Sequence, residues 1–272
     1  AETKDGGRFR VNIFFEKGNM SLAARVISQK IPTMEELDLP AIAGKFTELP
    51  HGLVLVTGPT GSGKSTTLAS MVEAINNSRD ENIITLEDPV EYLFAAKKSI
   101  IRQRQLGVDM VTFAEGLKHI LRQDPDVIMV GEMRDLETIA AALTMAETGH
   151  LVFATLHTWS AAQTVDRIVD SFPAHQQQQI RLQLALTLRG IITQQLMPKK
   201  GGGRIAVREI LVNNPAVANL IRENKVAQIK TVMQTSAKEG MTTLAQDLKR
   251  LLKEDLIEKS VAEAMVVGEK IE

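Results

Sequence analysis

The chain has 272 residues, no cysteine and a formal net charge of −1, from 32 basic and 33 acidic side chains. The lack of cysteine excludes disulfides, Cys-ligated zinc and thiol catalysis, and the balanced charge gives no general attraction to nucleic acid or anionic lipid. Because no apolar run approaches the roughly 20 residues of a membrane span and residues 1–5 show no signal-peptide pattern, we expect a soluble, intracellular α/β protein.

Polar and apolar side chains alternate strictly over residues 8–13, a pattern typical of a strand. One face would carry Arg8, Arg10 and Asn12, and the other Phe9, Val11 and Ile13. Since a lone strand has no stability, it must either pair with residues 22–27 and the main domain or be the end of a preceding domain. Residues 31–40 contain two prolines and few apolar side chains, which predicts a linker with a short helix over 34–37, capped by Thr33.

A phosphate-binding loop follows the first apolar run of the main domain. It matches G-x-x-x-x-G-K-[ST] at every fixed position, and it comprises Gly58, Pro59, Thr60, Gly61, Ser62, Gly63, Lys64 and Ser65, followed by Thr66. An apolar run over 53–56 predicts a strand before it, and helical spacing over 68–75 predicts a helix after it. In that context backbone N–H groups converge on phosphate oxygens, Lys64 reaches the β- and γ-phosphates, and the Ser65 hydroxyl binds Mg²⁺. The sequence therefore predicts a nucleoside triphosphate site.

Alternating strands and helices follow, which is the signature of a mainly parallel sheet covered by helices. Strands are predicted at 82–86, 127–130 and 151–155, helices at 113–121, 136–148, 161–169 and 176–188, and two last strands at 191–196 and 204–211 across a triple-glycine turn. After Pro215 the pattern predicts helices, one of them with an apolar face of Leu244, Leu248, Leu251 and Leu252.

Acidic residues follow two of the predicted core strands. Glu132 comes shortly after the strand 127–130, where a carboxylate would hold Mg²⁺ or its water, although the usual motif has Asp directly after the strand. Glu87, Asp88 and Glu91 follow the strand 82–86, and one of them could orient and deprotonate the water that attacks the γ-phosphate. A solvated acidic loop is the alternative interpretation.

Histidines and arginines provide further candidates. His150 and His157 bracket a predicted strand at opposite ends, too far apart to share one metal ion. For His157, a γ-phosphate-sensing role and an ordinary loop histidine fit the sequence equally well. Four arginines each fit either an arginine finger that reaches a phosphate across a subunit boundary or a solvated sheet face: Arg8, Arg10, Arg102 and Arg104.

With these residues the chain resembles the type IV pilus retraction ATPases (the PilT family) of the secretion ATPase superfamily, from about Arg8 to the C-terminal helices. Besides the phosphate loop, the segments that carry the resemblance are EDPVE at 87–91, LRQDPD at 121–126, VGEMRDLET at 130–138 and TGHLVFATLHT at 148–158. The resemblance implies a homo-hexameric, RecA-like ATPase that uses ATP with Mg²⁺ to drive pilin disassembly and twitching motility. It also implies a cytoplasmic protein at the inner face of the bacterial membrane, bound to the pilus platform protein and not to nucleic acid.

Position by position, the resemblance implies that Glu91 is the general base, Glu132 an atypical Walker B residue, and His150 and His157 the histidine box. Glu87, Asp88 and Arg104 would support the site. Arg8 and Arg10 would serve the nucleotide from the end of a PAS-like domain, most of which we expect to be absent. Residues 219–224 match loosely a short motif that retraction members carry near the C-terminus.

The same resemblance divides the chain into four parts. These are a remnant of a PAS-like N-terminal domain at 1–29, an interdomain linker at 30–44, a RecA-like ATPase core at 45–212 and a C-terminal helical region at 213–272.

Three alternatives stand beside the retraction motor. Pilus-extension and type II secretion ATPases share these motifs, but they commonly carry a four-cysteine zinc module, and this chain has no cysteine. A DNA translocase on the same core would need a basic nucleic-acid-binding loop, which the charge balance does not indicate. A non-hydrolysing nucleotide sensor is disfavoured by the presence of Lys64, Glu91 and Glu132.

Overall fold

The strands form two separate sheets in residues 8–27 and 30–265, which are the residues that this computed structural model describes. They are β1 (Arg8–Glu16), β2 (Asn19–Ile27), β3 (Gly52–Thr57), β4 (Asn82–Glu87), β5 (Ile100–Gln105), β6 (Val127–Val130), β7 (Leu151–Leu156), β8 (Leu188–Pro198) and β9 (Arg204–Val212). The larger sheet has the order β5-β4-β6-β7-β3-β8-β9. Its neighbouring strands run parallel, except that β9 returns antiparallel to β8 after the triple-glycine turn.

Helices cover both faces of the larger sheet. They are α1 (Ala41–Thr47), α2 (Lys64–Ser78), α3 (Phe113–Ile120), α4 (Leu136–Glu147), α5 (Ala161–Asp170), α6 (Ala174–Thr187), α7 (Pro215–Arg222), α8 (Ile229–Thr235), α9 (Leu244–Lys253) and α10 (Lys259–Met265), with 3-10 turns at Val226–Gln228 and Ala237–Glu239. Strands β3, β6 and β7 are buried along their whole length, which is why their sequences are nearly continuous apolar runs. The predicted α/β fold is confirmed. Among the described residues, each helix is too short or too polar to cross a bilayer.

Two hydrophobic cores lie on opposite faces of this sheet. One packs α3 to α8 against it, and the other packs α1 and α2. A third cluster joins α9 and α10 to the far ends of β8 and β9. At Gly190 in β8, a Cβ would lie 2.1 Å from the ring of Phe46, so this glycine makes room for α1 against the sheet.

Three local features differ from the sequence-based expectation. Strand β5 and helix α1 were not predicted, and α1 begins inside the segment expected to be a linker. The predicted helix over 34–37 is a turn, so that prediction was wrong. Thr33 and Glu36 form the reciprocal hydrogen bonds of a helix start, 2.9 and 3.1 Å long, but Asp38 has a φ angle of 50°, which stops the helix within one turn.

The smaller sheet is an antiparallel hairpin of β1 and β2, in which Arg8 pairs with Ile27 and Ile13 with Leu22. Of the two alternatives for residues 8–13, the pairing with 22–27 is therefore observed, but the hairpin does not join the larger sheet. The alternation puts Arg10 and Arg25 on one face. The opposite face carries exposed apolar side chains, namely Val11, Ile13, Phe15, Met20, Leu22 and Val26. Of the predicted parts, residues 1–7, 28–29 and 266–272 lie outside the described residues.

Candidate nucleotide-binding site

The phosphate loop joins the end of β3 to the start of α2 at Lys64. Its glycines have positive φ angles of 141° at Gly58, 80° at Gly61 and 88° at Gly63. At Gly58, a Cβ would lie 2.1 Å from the backbone carbonyl oxygen of Gln194 in β8. Only glycine permits both this backbone conformation and this close approach.

Strand β8 also holds the loop through side chains. Gln194 is buried, accepts a hydrogen bond from the Thr67 hydroxyl at 2.9 Å and donates one to the Ser62 carbonyl at 2.7 Å. The hydroxyl groups of Thr57 and Thr193 lie 2.8 Å apart between the same two strands. The loop is thus fixed on both sides by a strand that lies far along the chain.

Lys64 lies deep in the site, and only 8% of its surface is exposed. Its Nζ donates to the carbonyl oxygens of Gly58 at 2.9 Å and Pro59 at 3.1 Å, and it lies 3.3 Å from Nδ1 of His157. Burial lowers the pKa of Lys64, and the carboxylates of Glu132 and Glu91 oppose that shift. An ammonium group held at this point can neutralise the charge of a bound phosphate.

Glu132 lies between two cationic or hydrogen-bonding side chains. Its Oε1 is 3.1 Å from Nε2 of His157, and its Oε2 is 2.7 Å from Nε of Arg134. The preceding Gly131 lets the end of β6 approach β4, since a Cβ there would lie 3.1 Å from the Leu86 carbonyl oxygen. The Thr155 hydroxyl donates to the Gly131 carbonyl and fixes this turn.

The three acids after β4 have different environments. Glu87 is buried, and its Oε1 accepts hydrogen bonds from the Thr85 hydroxyl at 2.7 Å and the Gln103 amide at 2.9 Å. Burial raises the pKa of Glu87, and these hydrogen bonds oppose the shift. Glu91 is exposed and faces the cleft, whereas Asp88 lies 3.8 Å from Nη1 of Arg134.

These groups line one cleft of about 690 Å³, between the carboxyl ends of the strands and the N-terminal hairpin. Of the predicted site residues, it brings together Arg10, Thr60, Gly61, Gly63, Lys64, Ser65, Thr66, Glu87, Asp88, Glu91, Glu132 and His157. Ligands of open α/β sheets bind at this edge, because the parallel strands point their carboxyl ends toward it.

Two of the predicted residues lie away from this cleft, and a third cannot be placed. His150 precedes β7, so it lies at the opposite sheet edge from His157, where its Nδ1 is 3.0 Å from the Met145 carbonyl oxygen. Arg104 lies near the end of the edge strand β5 and donates to the Asp109 carbonyl at 2.6 Å. Neither residue lines the cleft of its own chain, and their supporting roles stay predictions. The side chain of Arg8 lies outside the described residues.

Several residues at the site were not anticipated from the sequence. Gln194 braces the phosphate loop, the Tyr92 hydroxyl lies 3.0 Å from that of Thr66, and Arg134 contacts Glu132. Arg25 lines the cleft directly opposite Arg10 in the hairpin register. Of these residues, only Arg25 could have been predicted from the sequence. If a hairpin is assumed, the alternation of β2 puts Arg25 on the same face as Arg10.

The donor set at the cleft is suited to Mg²⁺. The Ser65 hydroxyl and the carboxylates of Glu132 and Glu91 are oxygen ligands, which Mg²⁺ prefers, and they line the same space. Within the described residues no group of three or more His, Cys, Asp or Glu side chains could hold a metal unaided. This agrees with the usual arrangement, in which nucleotide phosphates complete the coordination of Mg²⁺.

A mainly parallel sheet, a phosphate loop braced by a neighbouring strand, and acids at the same sheet edge together define a nucleotide-binding P-loop NTPase of the RecA-like class. The model of the Type II/IV secretion system protein family matches residues 21–202. The chain therefore belongs to the Type II/IV secretion system protein family.

Individual relatives match nearly the whole chain. It is 51% identical to the type IV pilus retractation ATPase PilT of Pseudomonas aeruginosa over 94% of this chain and 74% of that protein. It is also 51% identical to a twitching motility protein of Neisseria gonorrhoeae, over 96% of this chain and 70% of that one. The crystal structure of the pilus retraction motor PilT with bound ADP superposes with a TM-score of 0.92 at 49% identity, covering 98% of this chain and 76% of that chain.

Proposed function

We propose that this protein is an ATPase that powers type IV pilus retraction, and hence twitching motility, by driving pilin disassembly. The observation that carries the proposal is the convergence of Lys64, Glu91 and Glu132 on one cleft beside a complete phosphate loop. The identity to pilus retraction and twitching motility proteins over nearly the whole chain supports the same activity.

The residues at the cleft have distinct roles in hydrolysis. The phosphate loop binds the β- and γ-phosphates through its backbone N–H groups and Lys64. Ser65, and Glu132 directly or through water, hold Mg²⁺, which neutralises charge on the phosphates. Glu91 takes the proton of the attacking water, because it is exposed and faces the cleft, whereas Glu87 is buried under three hydrogen bonds. Asp88 is also exposed there, but it lies 3.8 Å from Nη1 of Arg134.

The motor acts as a homo-hexamer in the cytoplasm, at the inner face of the bacterial membrane, where it engages the platform protein of the pilus. The hairpin that places Arg10 over the cleft supports an arrangement in which an N-terminal segment closes a nucleotide site. Pilus extension and type II secretion are the alternatives within the family. A DNA translocase is the alternative outside the family, and the balanced charge of the chain argues against it.

Phosphate release by purified variants tests the enzyme. We expect Lys64→Ala to abolish hydrolysis, because it removes the positive charge at the β- and γ-phosphates. Glu91→Gln is nearly isosteric, so nucleotide should still bind while turnover falls by roughly 10²–10⁴-fold. Wild-type turnover in the Lys64 variant would contradict the assignment, and wild-type turnover in the Glu91 variant would favour Glu87 or Asp88.

A deletion strain tests the direction of movement. Loss of a retraction motor leaves cells with pili that do not retract, and loss of an extension motor leaves cells without pili. We expect pili on the deletion strain, and recovery of twitching with the wild-type gene but not with the gene for Lys64→Ala. Bald cells would assign the protein to extension.

A further inference from the structure

The loop that carries Glu91 has no regular secondary structure and is held from the side by one strand. Residues 88–94, here called the acidic loop, leave β4 and cross in front of β5. Their backbone groups have no sheet partners, so side chains must satisfy them. Gln103, in the middle of β5, provides two of the four side-chain hydrogen bonds to this backbone.

The amide of Gln103 makes three hydrogen bonds. Its Nε2 donates to Oε1 of Glu87 at 2.9 Å and to the Tyr92 carbonyl at 2.7 Å, and its Oε1 accepts from the Phe94 N–H at 3.0 Å. It therefore binds the acidic loop on both sides of Leu93 and ties it to the end of β4. Glutamine has both the donors and the acceptor that these three partners require, which neither glutamate nor leucine has.

Three further hydrogen bonds hold this loop. The backbone N–H of Glu91 itself donates to Oε2 of Glu87 at 3.4 Å. Gln105, on the same face of β5, accepts from the Val90 N–H at 3.2 Å. On the other side, the Tyr92 hydroxyl lies 3.0 Å from the Thr66 hydroxyl, next to the phosphate loop. Glu91 thus lies between Val90, which Gln105 holds, and Tyr92, which both Gln103 and helix α2 hold.

We propose that Gln103 is a positioning residue for hydrolysis, which holds the acidic loop so that Glu91 faces the phosphates. The inference rests on the proposed role of Glu91 as the base. Gln103 does not line the cleft itself, so it acts through the loop and not on the nucleotide. Its neighbours Arg102 and Arg104 point to the other face of the strand. In the sequence, Gln103 therefore stands between two basic residues that do not share its contacts.

The test separates turnover from nucleotide affinity. We expect Gln103→Leu to lower kcat by roughly 10- to 100-fold, because a displacement of about 1 Å in a reacting group can cost this much. The dissociation constant for ADP should change by less than about twofold, since the phosphate loop is held independently by Gln194. Gln105→Leu removes one bond instead of three and should have the smaller effect.

Gln103→Glu and Gln178→Leu are the controls. Gln103→Glu keeps the shape and the acceptor for Phe94 but loses both donors, so it should reproduce most of the defect without a change in volume. Gln178→Leu makes the same chemical change at an exposed position on α6 and should hydrolyse like the wild type. If all three Gln103 and Gln105 variants hydrolyse normally, or if kcat falls only together with nucleotide affinity and melting temperature, the inference is wrong.

A double-mutant cycle with Glu91→Gln distinguishes the inference from the function on which it rests. If Gln103 acts through Glu91, its substitution should lower kcat strongly in the wild type and by less than about twofold in the Glu91→Gln background. Fully multiplicative effects would overturn the positioning role. Wild-type turnover of Glu91→Gln alone would instead overturn the assigned base.

Discussion

At the scale of single residues, His157 connects the two parts of the site. A neutral imidazole can accept from Lys64 at Nδ1 and donate to Glu132 at Nε2, so one tautomer satisfies both contacts, which are 3.3 and 3.1 Å long. The sequence left open whether this was a phosphate-sensing or an ordinary loop histidine. Its position between the phosphate loop and the acid after β6 favours a functional role.

We expect His157→Ala to lower turnover by roughly tenfold or more, because it removes a polar group that orders Lys64 and Glu132 around the phosphates. Phosphate release measures the effect. The single tryptophan, Trp159, lies two residues after His157, so its fluorescence can be used to follow ADP binding. The matched control is His119→Ala, at an exposed position on α3. Equal turnover in the two variants would mean that His157 is an ordinary loop histidine with no role in hydrolysis.

The sequence identified the acids of the site but not the amides that support it. Glu91 and Glu132 follow predicted strands, and the geometry of a parallel sheet gathers strand ends at one edge. Gln194 forms a hydrogen bond to Thr67, 127 positions away, and Gln103 forms hydrogen bonds to residues of the loop before its own strand. Such contacts leave no spacing pattern, so they become visible only when the strand order is known.

At the scale of elements, the hairpin of β1 and β2 presents a pair of arginines to the cleft. Arg10 and Arg25 lie directly opposite each other in the register, and both line the same cavity as Lys64. The sequence pointed to Arg8 and Arg10, because only β1 alternates clearly. The cross-strand partner makes Arg25 the better companion of Arg10.

We expect Arg10→Ala with Arg25→Ala to lower turnover at least tenfold with little change in ADP affinity. A guanidinium near the γ-phosphate stabilises charge that develops in the transition state, an effect of roughly 10³–10⁵ for known arginine fingers. The comparison variant is Arg8→Ala with Arg10→Ala, assayed for phosphate release under the conditions in which the wild type is assembled. Unchanged hydrolysis in both double variants would reduce these arginines to a solvated sheet face.

Element boundaries were predictable where an element is buried along its whole length, and elements were missed where a strand is exposed or a helix depends on a long-range contact. The strand 127–130 was predicted with its observed ends, because all of its residues are buried. Strand β5 was missed because its sequence, IIRQRQ, has charged and polar side chains at an exposed sheet edge. Helix α1 was missed because its packing depends on Gly190, a residue almost 150 positions further on.

At the scale of the whole molecule, a partly buried network of hydrogen bonds and ion pairs joins the N-terminal turn to helix α9. Arg208 of β9 is 3% exposed and donates to the carbonyl oxygens of Leu37 and Asp38, both at 2.7 Å. Its backbone N–H donates to Asp247 of α9 at 2.7 Å, and Asp247 also pairs with Arg250 at 2.8 Å. Arg250 in turn reaches Asp38 at 3.0 Å.

We expect Asp247→Ala to lower the free energy of unfolding by about 1–3 kcal/mol, because the buried backbone N–H of Arg208 loses its acceptor and the nearby carboxylate no longer offsets the buried guanidinium charge. Urea denaturation measures the change, and Lys249→Ala, at an exposed position on the same helix, is the control for helix propensity. A loss below about 1 kcal/mol would mean that the carbonyl oxygens of Leu37 and Asp38 are sufficient partners for Arg208.

The same network determines how a mechanical load would pass through the protein. A pull on the N-terminal hairpin reaches residues 37–38 before it reaches the phosphate loop, and there Arg208 and Arg250 divert the tension into β9 and α9. Strand β9 in turn is hydrogen-bonded along its length to β8, the strand that braces the loop. The nucleotide site would therefore feel part of the load from the side, through the Gln194 contacts, besides the part that passes along the chain into β3.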